Sequence, residues 1–247
     1  MLTATTETQL PKRESPEFAG QVRTMFDRIA GVYDLMNTAM TAGMHHRWRQ
    51  RAVERANLRP GDSALDVCCG TGDLAFELAR RVGPGGEVVG CDFSDPMLDL
   101  ARRKAAARHA DQVRFEWADA LELPFPDRAF DAVTVGFGVR NLADLGRGLG
   151  ELHRALKPGG RLVILEITRP LRLPLSAFYS VWFDRAVPIL GAIAGDRDAY
   201  AYLPESVKRF PSPQGLAEQM ALAGFGGIRY LVLAGGIIAI HSGARPR

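Results

Sequence analysis

Between residues 63 and 167 the chain alternates two hydrophobic rhythms. Short apolar runs, SALDVCC (63–69), GEVVGCD (86–92), VRFEWAD (113–119), FDAVTVGFGV (130–139) and RLVILEI (161–167), predict buried strands, and segments with helical apolar spacing separate them. Such alternation predicts a parallel sheet covered by helices on both faces. Ser94 precedes one helix as an N-cap, with Pro96 inside its first turn. Another helix, ADLGRGLGELHRALK, is expected to stop at the PGG of 158–160.

After the fifth strand the rhythm breaks. Residues 170–210 are first aromatic and apolar, then polar, and predict an inserted lid; a helix at PQGLAEQMALAG and two strand-like runs, GIRYLVL and GIIAIHSG, follow. Upstream, FDRIAGVYDLMN (26–37) places Phe26, Ile29, Ala30, Tyr33 and Met36 at helical spacing, with ionisable residues threaded between them. The next segment, GMHHRWR (43–49), is taken as a loop holding His45. Residues 1–17 are expected to form a disordered tail, since they lack the apolar stretch of a secretion signal.

Composition narrows the function. With 247 residues, 47% hydrophobic and 24% charged, the chain is long enough for one domain with a substantial core. Its net charge of +3 without basic runs argues against nucleic acid as a partner, yet leaves room for weak attraction to an anionic membrane surface. Cys68, Cys69 and Cys91 fall near predicted strands without zinc spacing and are expected to be reduced core thiols; no metal is expected.

Candidate chemistry gathers at the strand ends. Open α/β sheets bind ligands beyond the carboxyl ends of their strands. There stand Asp66, a turn of Gly70, Thr71 and Gly72 that lets backbone approach a ligand, Asp92 and Phe93 after the second strand, Asp119 and Ala120 after the third, and Gly136 to Asn141 after the fourth. A glycine turn followed by an acid also occurs in nicotinamide enzymes, so that pair alone leaves both cofactors open. A third acid, Asp119 at an adenine edge, with Asp92 on a ribose diol and Asp66 near an amino-acid end, favours S-adenosylmethionine, a cation with no pyrophosphate to cradle.

The pattern resembles class I S-adenosylmethionine-dependent methyltransferases, although Cys68 stands where their motif usually has its first glycine. FDRIAGVYDLMN, GMHHRWR, LDVCCGTGD, FSDPML, FGVRN, LKPGG, LEITRP and AYLPESVKRFP occur in this order and resemble the ubiquinone/menaquinone biosynthesis methyltransferase family over roughly residues 18–245. Several relatives place a cofactor-contacting serine where Gly136 stands, so here only backbone could help. The resemblance implies a Rossmann-like seven-stranded α/β fold with an N-terminal helical cap (18–60) and a lid (170–210). It implies C-methylation of a polyprenylated quinol such as demethylmenaquinol, by a cytoplasmic enzyme in transient contact with the membrane surface; the apolar C-terminal strands suit a homodimer.

Within that resemblance, Arg140 and Asn141 are expected to stabilise phenolate-like charge and hold a water, with a surface ion pair and a helix cap as their bland alternatives. His45 is the candidate proton acceptor, because histidine alone titrates near neutrality. Tyr33 and Asp34 are expected at the methionine end of the cofactor, while His46, Trp48 and Arg49 are taken as scaffold. Residues 171–195 suit an isoprenoid tail or a core-packing helix equally. A methyltransferase for a phospholipid amine and a non-catalytic subunit of a quinone-synthesis complex stay open as other functions.

Overall fold

The strand runs pair as their patterning predicts. In a computed structural model that describes residues 16–170 and 197–247, β1 (Ser63–Val67), β2 (Glu87–Asp92), β3 (Val113–Trp117), β4 (Phe130–Gly136) and β5 (Leu156–Ile167) form parallel ladders. The C-terminal strands β6 (Gly226–Leu233) and β7 (Ile238–Ala244) are antiparallel, because a short turn at Ala234–Gly236 joins them as a hairpin. The full order is β3-β2-β1-β4-β5-β7-β6. Strand order reverses between β1 and β4, which opens a crevice at their carboxyl ends.

Helices cover both faces. Leu149 and Leu152 of α6 (Leu145–Ala155) and Leu216 and Met220 of α8 (Pro213–Leu222) pack on one face. The other face takes Trp48 and Ala52 of α3 (Met44–Ala56), Leu74 and Leu78 of α4 (Asp73–Val82), and Leu98 and Ala101 of α5 (Asp95–Arg108). A third cluster joins Phe18, Val22 and Met25 of α1 (Pro16–Ile29) and Met36 of α2 (Tyr33–Thr41) to Tyr202 and Val207 of α7 (Arg197–Arg209).

Several expectations change. The presumed tail already has helical backbone at Pro16 and Glu17. The segment 26–37 is not one helix: a 3-10 turn at Ala30–Val32 separates α1 from α2, so Tyr33 opens a new helix over the crevice. The histidine segment is not a loop either. Ala42 and Gly43 take left-handed φ values of 47° and 74°, and α3 starts at once, with His45 buried in its first turn. The helix before PGG ends at Ala155; residues 156–160 join β5 across a bulge, with Gly159 at φ +81°. Ser94 caps α5 as expected, accepting the Met97 N–H. The aromatic part of the lid expectation, residues 171–196, lies outside the described residues; its polar end forms α7.

Candidate active site

At the end of β1 the chain must turn sharply under the crevice. Cys68 does so at φ +56°, the conformation that a glycine would supply there without strain. Its side chain imposes a second requirement: a Cβ on Gly138 would lie 2.4 Å from that of Cys68. Gly70 and Gly72 both have positive φ, but they serve different ends. A Cβ on Gly70 meets nothing nearer than Tyr33 at 3.9 Å, so this face stays open to the crevice. A Cβ on Gly72 would sit 2.6 Å from the Phe115 ring; this glycine answers packing rather than ligand approach.

The strand-end acids sit in two adjoining clefts. Asp66 is fully buried, its Oδ1 accepting the Thr134 hydroxyl at 2.7 Å. Its Oδ2 has no hydrogen-bond partner of normal geometry. Burial pushes this carboxyl up to about 7, against the pull of Thr134 and Arg49. Asp92 accepts the Gly70 N–H at 2.8 Å and the Ser94 N–H at 3.0 Å, and burial pushes it up to about 6. The Phe93 backbone N–H also bonds this carboxylate, which keeps acceptor capacity for a further donor.

Asp92, Phe93, Asp119, Ala120, Gly136 and Asn141 line one cleft of about 80 Å³. Asp66, Thr71, Arg49 and Asp73 line the other, of about 20 Å³. Asp119 is exposed, two residues beyond β3, with its Oδ1 held by the Leu121 N–H at 2.9 Å.

The cap is tied to this floor by polar contacts. Asp34 accepts the Thr71 hydroxyl at 2.6 Å and pairs with Lys104 at 2.5 Å, and Asp27 accepts the Ser94 hydroxyl at 2.5 Å. Lys104 also bonds Thr71 and Asp73, and buried Arg49 pairs with Asp73 at 3.1 Å. Arg49 is therefore more than scaffold: it brings a guanidinium to the cleft of Asp66.

On the far side of Tyr33 lies an apolar cavity of about 360 Å³. Met25, Met36 and Met40 line it, as do Ile167, Ile238 and Trp48. Tyr33 and Phe137 border all three spaces. Arg140 enters the apolar cavity, but not as a surface residue: it is buried and pairs with buried Glu166 at 2.9 Å. Glu166 also accepts the Arg140 backbone N–H, and the guanidinium donates to the Phe137 carbonyl. The Arg140 Nε is buried without a partner.

Asn141 does not cap the next helix, a role taken by Asp144; its Oδ1 accepts the Tyr202 hydroxyl at 3.0 Å. His45 lines the same cavity, yet its pKa is not near neutral. Burial, with Arg49 and His46 beside it, pushes it down to about 4.

The structure thus gathers every predicted site residue except Gly72 around Tyr33. Glu166, Arg49 and Lys104, the partner of Asp34, were not singled out as site residues. Glu166 sits in an apolar strand run, LVILEI, and a lone acid there is the signal that could have found it.

A model of the ubiE/COQ5 methyltransferase family matches residues 13–245. The chain is 53% identical over 223 residues to the demethylmenaquinone methyltransferase of Thermus thermophilus, covering 90% of this chain and 100% of that one. It is 41% identical over 229 residues to the ubiquinone/menaquinone biosynthesis C-methyltransferase UbiE of Teredinibacter turnerae, covering 92% of each. Among solved structures it resembles the [4+2]-cyclase SpnF, with a TM-score of 0.69 at 21% identity over 92% of this chain and 96% of that one. At that identity the likeness speaks to fold alone. With the family model spanning nearly the whole chain, the protein belongs to the ubiE/COQ5 methyltransferase family of S-adenosylmethionine-dependent enzymes.

Proposed function

We propose that the protein methylates a ring carbon of a polyprenylated quinol, demethylmenaquinol in the first place. The observation that carries this reading is the apolar cavity holding one buried guanidinium, Arg140, directly across Tyr33 from the acid-lined clefts. S-adenosylmethionine supplies an electrophilic methyl group on a sulfonium. The clefts suit it: Asp92 has lone pairs for a ribose diol, buried Asp66 has an uncommitted oxygen for an ammonium, and Arg49 suits a carboxylate.

Around the quinol, Arg140 acts electrostatically. A quinol ring carbon becomes a good nucleophile as negative charge develops on the neighbouring oxygen, and a preorganised cation in an apolar wall stabilises that charge. Glu166 holds the guanidinium in place. Asn141, fixed by Tyr202, reaches the cofactor side and orients a water or the ring. Among the described residues the charged group on the apolar cavity is the Arg140 guanidinium, and no carboxylate lines it. This favours a developing oxyanion over a cationic amine, although the aromatic lining would tolerate either.

The quinol's tail ties the enzyme to a bilayer. Among the described residues no helix is long and apolar enough to cross one. Met44 at the cavity and Leu35 on α2 are exposed apolar residues, and Arg47 and Arg51 of α3 are exposed too. These features support transient attachment at the cytoplasmic face. Exposed Tyr230 and Val232 on the edge strand β6 support a homodimer; light scattering tests that part.

The deciding experiment is anaerobic methyl transfer from labelled S-adenosylmethionine to reduced demethylmenaquinone and to a demethylated benzoquinol, side by side. Label on the naphthoquinol supports the reading, and label on both rings extends it to benzoquinols. Tight cofactor binding with no label on either ring overturns it in favour of the lipid-amine or scaffold functions.

A further inference from the structure

Methylation of a quinol needs an acceptor for the hydroxyl proton, and Arg140, a cation paired with Glu166, is no base. A second polar group on the same cavity wall has its proton inventory fixed by geometry. His45 Nδ1 lies 2.7 Å from the Thr41 hydroxyl oxygen, and that oxygen lies 2.7 Å from the Asn37 carbonyl oxygen. Contacts this short each need a hydrogen between the heavy atoms. The Asn37 carbonyl can only accept, so the one hydroxyl hydrogen goes to it. The Nδ1 contact must then be filled by the imidazole's own N–H. A neutral imidazole carries a single ring N–H, so Nε2 is left with a bare lone pair. The left-handed turn at Ala42 and Gly43 makes this contact by starting α3 directly behind Thr41.

We propose that His45 Nε2 accepts the quinol hydroxyl proton during methyl transfer. The proposal rests on the quinol reading above. The O–H bond breaks toward Nε2, and its electron pair becomes the carbonyl bond. The ring carbon forms its bond to the methyl, while the sulfonium's S–C pair stays on sulfur. The ring then carries a carbonyl and one carbon bearing both hydrogen and methyl. That hydrogen leaves as a proton to water, and His45 returns its own proton to the oxygen. The products are the methylated quinol, a neutral thioether and one released proton.

Among the described residues, the charged groups that act most strongly on His45 are Arg49 and His46 on α3, Asp73 on α4 and Asp34 on α2, and Tyr33 and Arg140 line the same cavity. Burial and the two basic neighbours outweigh the acids, holding His45 at about 4 and therefore neutral at physiological pH. The proton moves toward Nε2 in concert with methyl transfer, so that negative charge builds on the oxygen beside Arg140 as the ring carbon reaches the methyl.

Nitrogen-15 NMR of the full chain at pH 7 is expected to show Nδ1 protonated and Nε2 bare. His45→Gln is expected to lower kcat by about 10²–10⁴-fold, with S-adenosylmethionine affinity within twofold of the parent. Thr41→Val keeps the ring but frees its tautomer, and kcat should fall by about twofold or more, as only part of the population keeps Nε2 bare. An Nε2–H tautomer or an imidazolium at pH 7 would overturn the proposal, as would near-parental turnover in His45→Gln. If His45→Gln does not fold, the parental NMR spectrum and Thr41→Val decide. A parent enzyme that labels no quinol would sink the substrate reading, while the tautomer measurement stands apart from it.

Discussion

The two sides of Tyr33 are built in different ways. On the side proposed for the cofactor the groups come from strand ends: Asp66, Asp92 and the Gly70 turn occupy places fixed by a parallel sheet. On the apolar side the wall comes from α1, α2 and α3, from Arg140, and from the ends of β5 and β7. Backbone ladders place the first set, and side-chain packing with a few polar ties places the second. The cofactor side should therefore fail through strain and lost hydrogen bonds. The quinol side should fail through lost volume or an exposed buried charge.

The largest effect is expected at the ion pair within the apolar wall. Arg140→Ala leaves Glu166 buried and unpaired, a loss of about 3–5 kcal/mol in stability by denaturant unfolding. Turnover in the protein that remains folded should fall by about 10²–10³-fold. Parental stability in this variant would mean that the pair is solvated, and the contrast between the two sides would collapse.

The paired glycines come next. Gly72→Ala drives a Cβ into Phe115 and should cost about 1–3 kcal/mol. Gly70→Ala has room and should cost only the left-handed backbone, about 1–2 kcal/mol, while weakening cofactor binding. Calorimetric titration with thermal unfolding separates the two; equal cofactor loss in both would return Gly72 to the binding turn.

A smaller change sharpens the apolar side. Met40→Ala removes lining from the quinol cavity, and KM for a prenylated quinol should rise by about tenfold, near 1–2 kcal/mol. Affinity for S-adenosylmethionine should not move; a parallel loss would show that the two sides are coupled through Tyr33.

The mildest test is pH. The folded-state pKa of Asp66 is raised to about 7, so its protonated form stabilises the fold fully below the ordinary carboxylate pKa. That contribution is lost as pH rises through about 7. The melting temperature of the parent minus that of Asp66→Asn should fall between about pH 4 and pH 7 and level off above. Cofactor affinity of the parent should rise over the same window, as Asp66 ionises. A flat difference would place Asp66 in contact with water.

How far each side was legible in the sequence follows from the same contrast. Asp92 was identifiable because the acid after a second parallel strand has a fixed position, and Arg140 because FGVRN follows the fourth. Arg140's burial was not legible, since its partner Glu166 lies 26 residues away on β5. The histidine segment was misjudged because its helix begins from a left-handed turn at Ala42 and Gly43, without a side-chain N-cap. His45 lines the cavity, but without the near-neutral pKa expected of it, because burial and Arg49 push that value down.

The sequence by itself determined what local pattern and spacing can encode: the alternation of strands and helices, the Ser94 cap, the acids at strand ends and the motifs of the family. Tertiary structure alone decided which of two glycines borders the open cleft and which packs on Phe115. It also decided that Tyr33 divides polar clefts from an apolar cavity, and that Arg140 and Glu166 are buried together. The physical reason is range. Strand periodicity and turn chemistry act over a few residues, whereas desolvation and ion pairing depend on side chains that the chain brings together only when the sheet and its cap close.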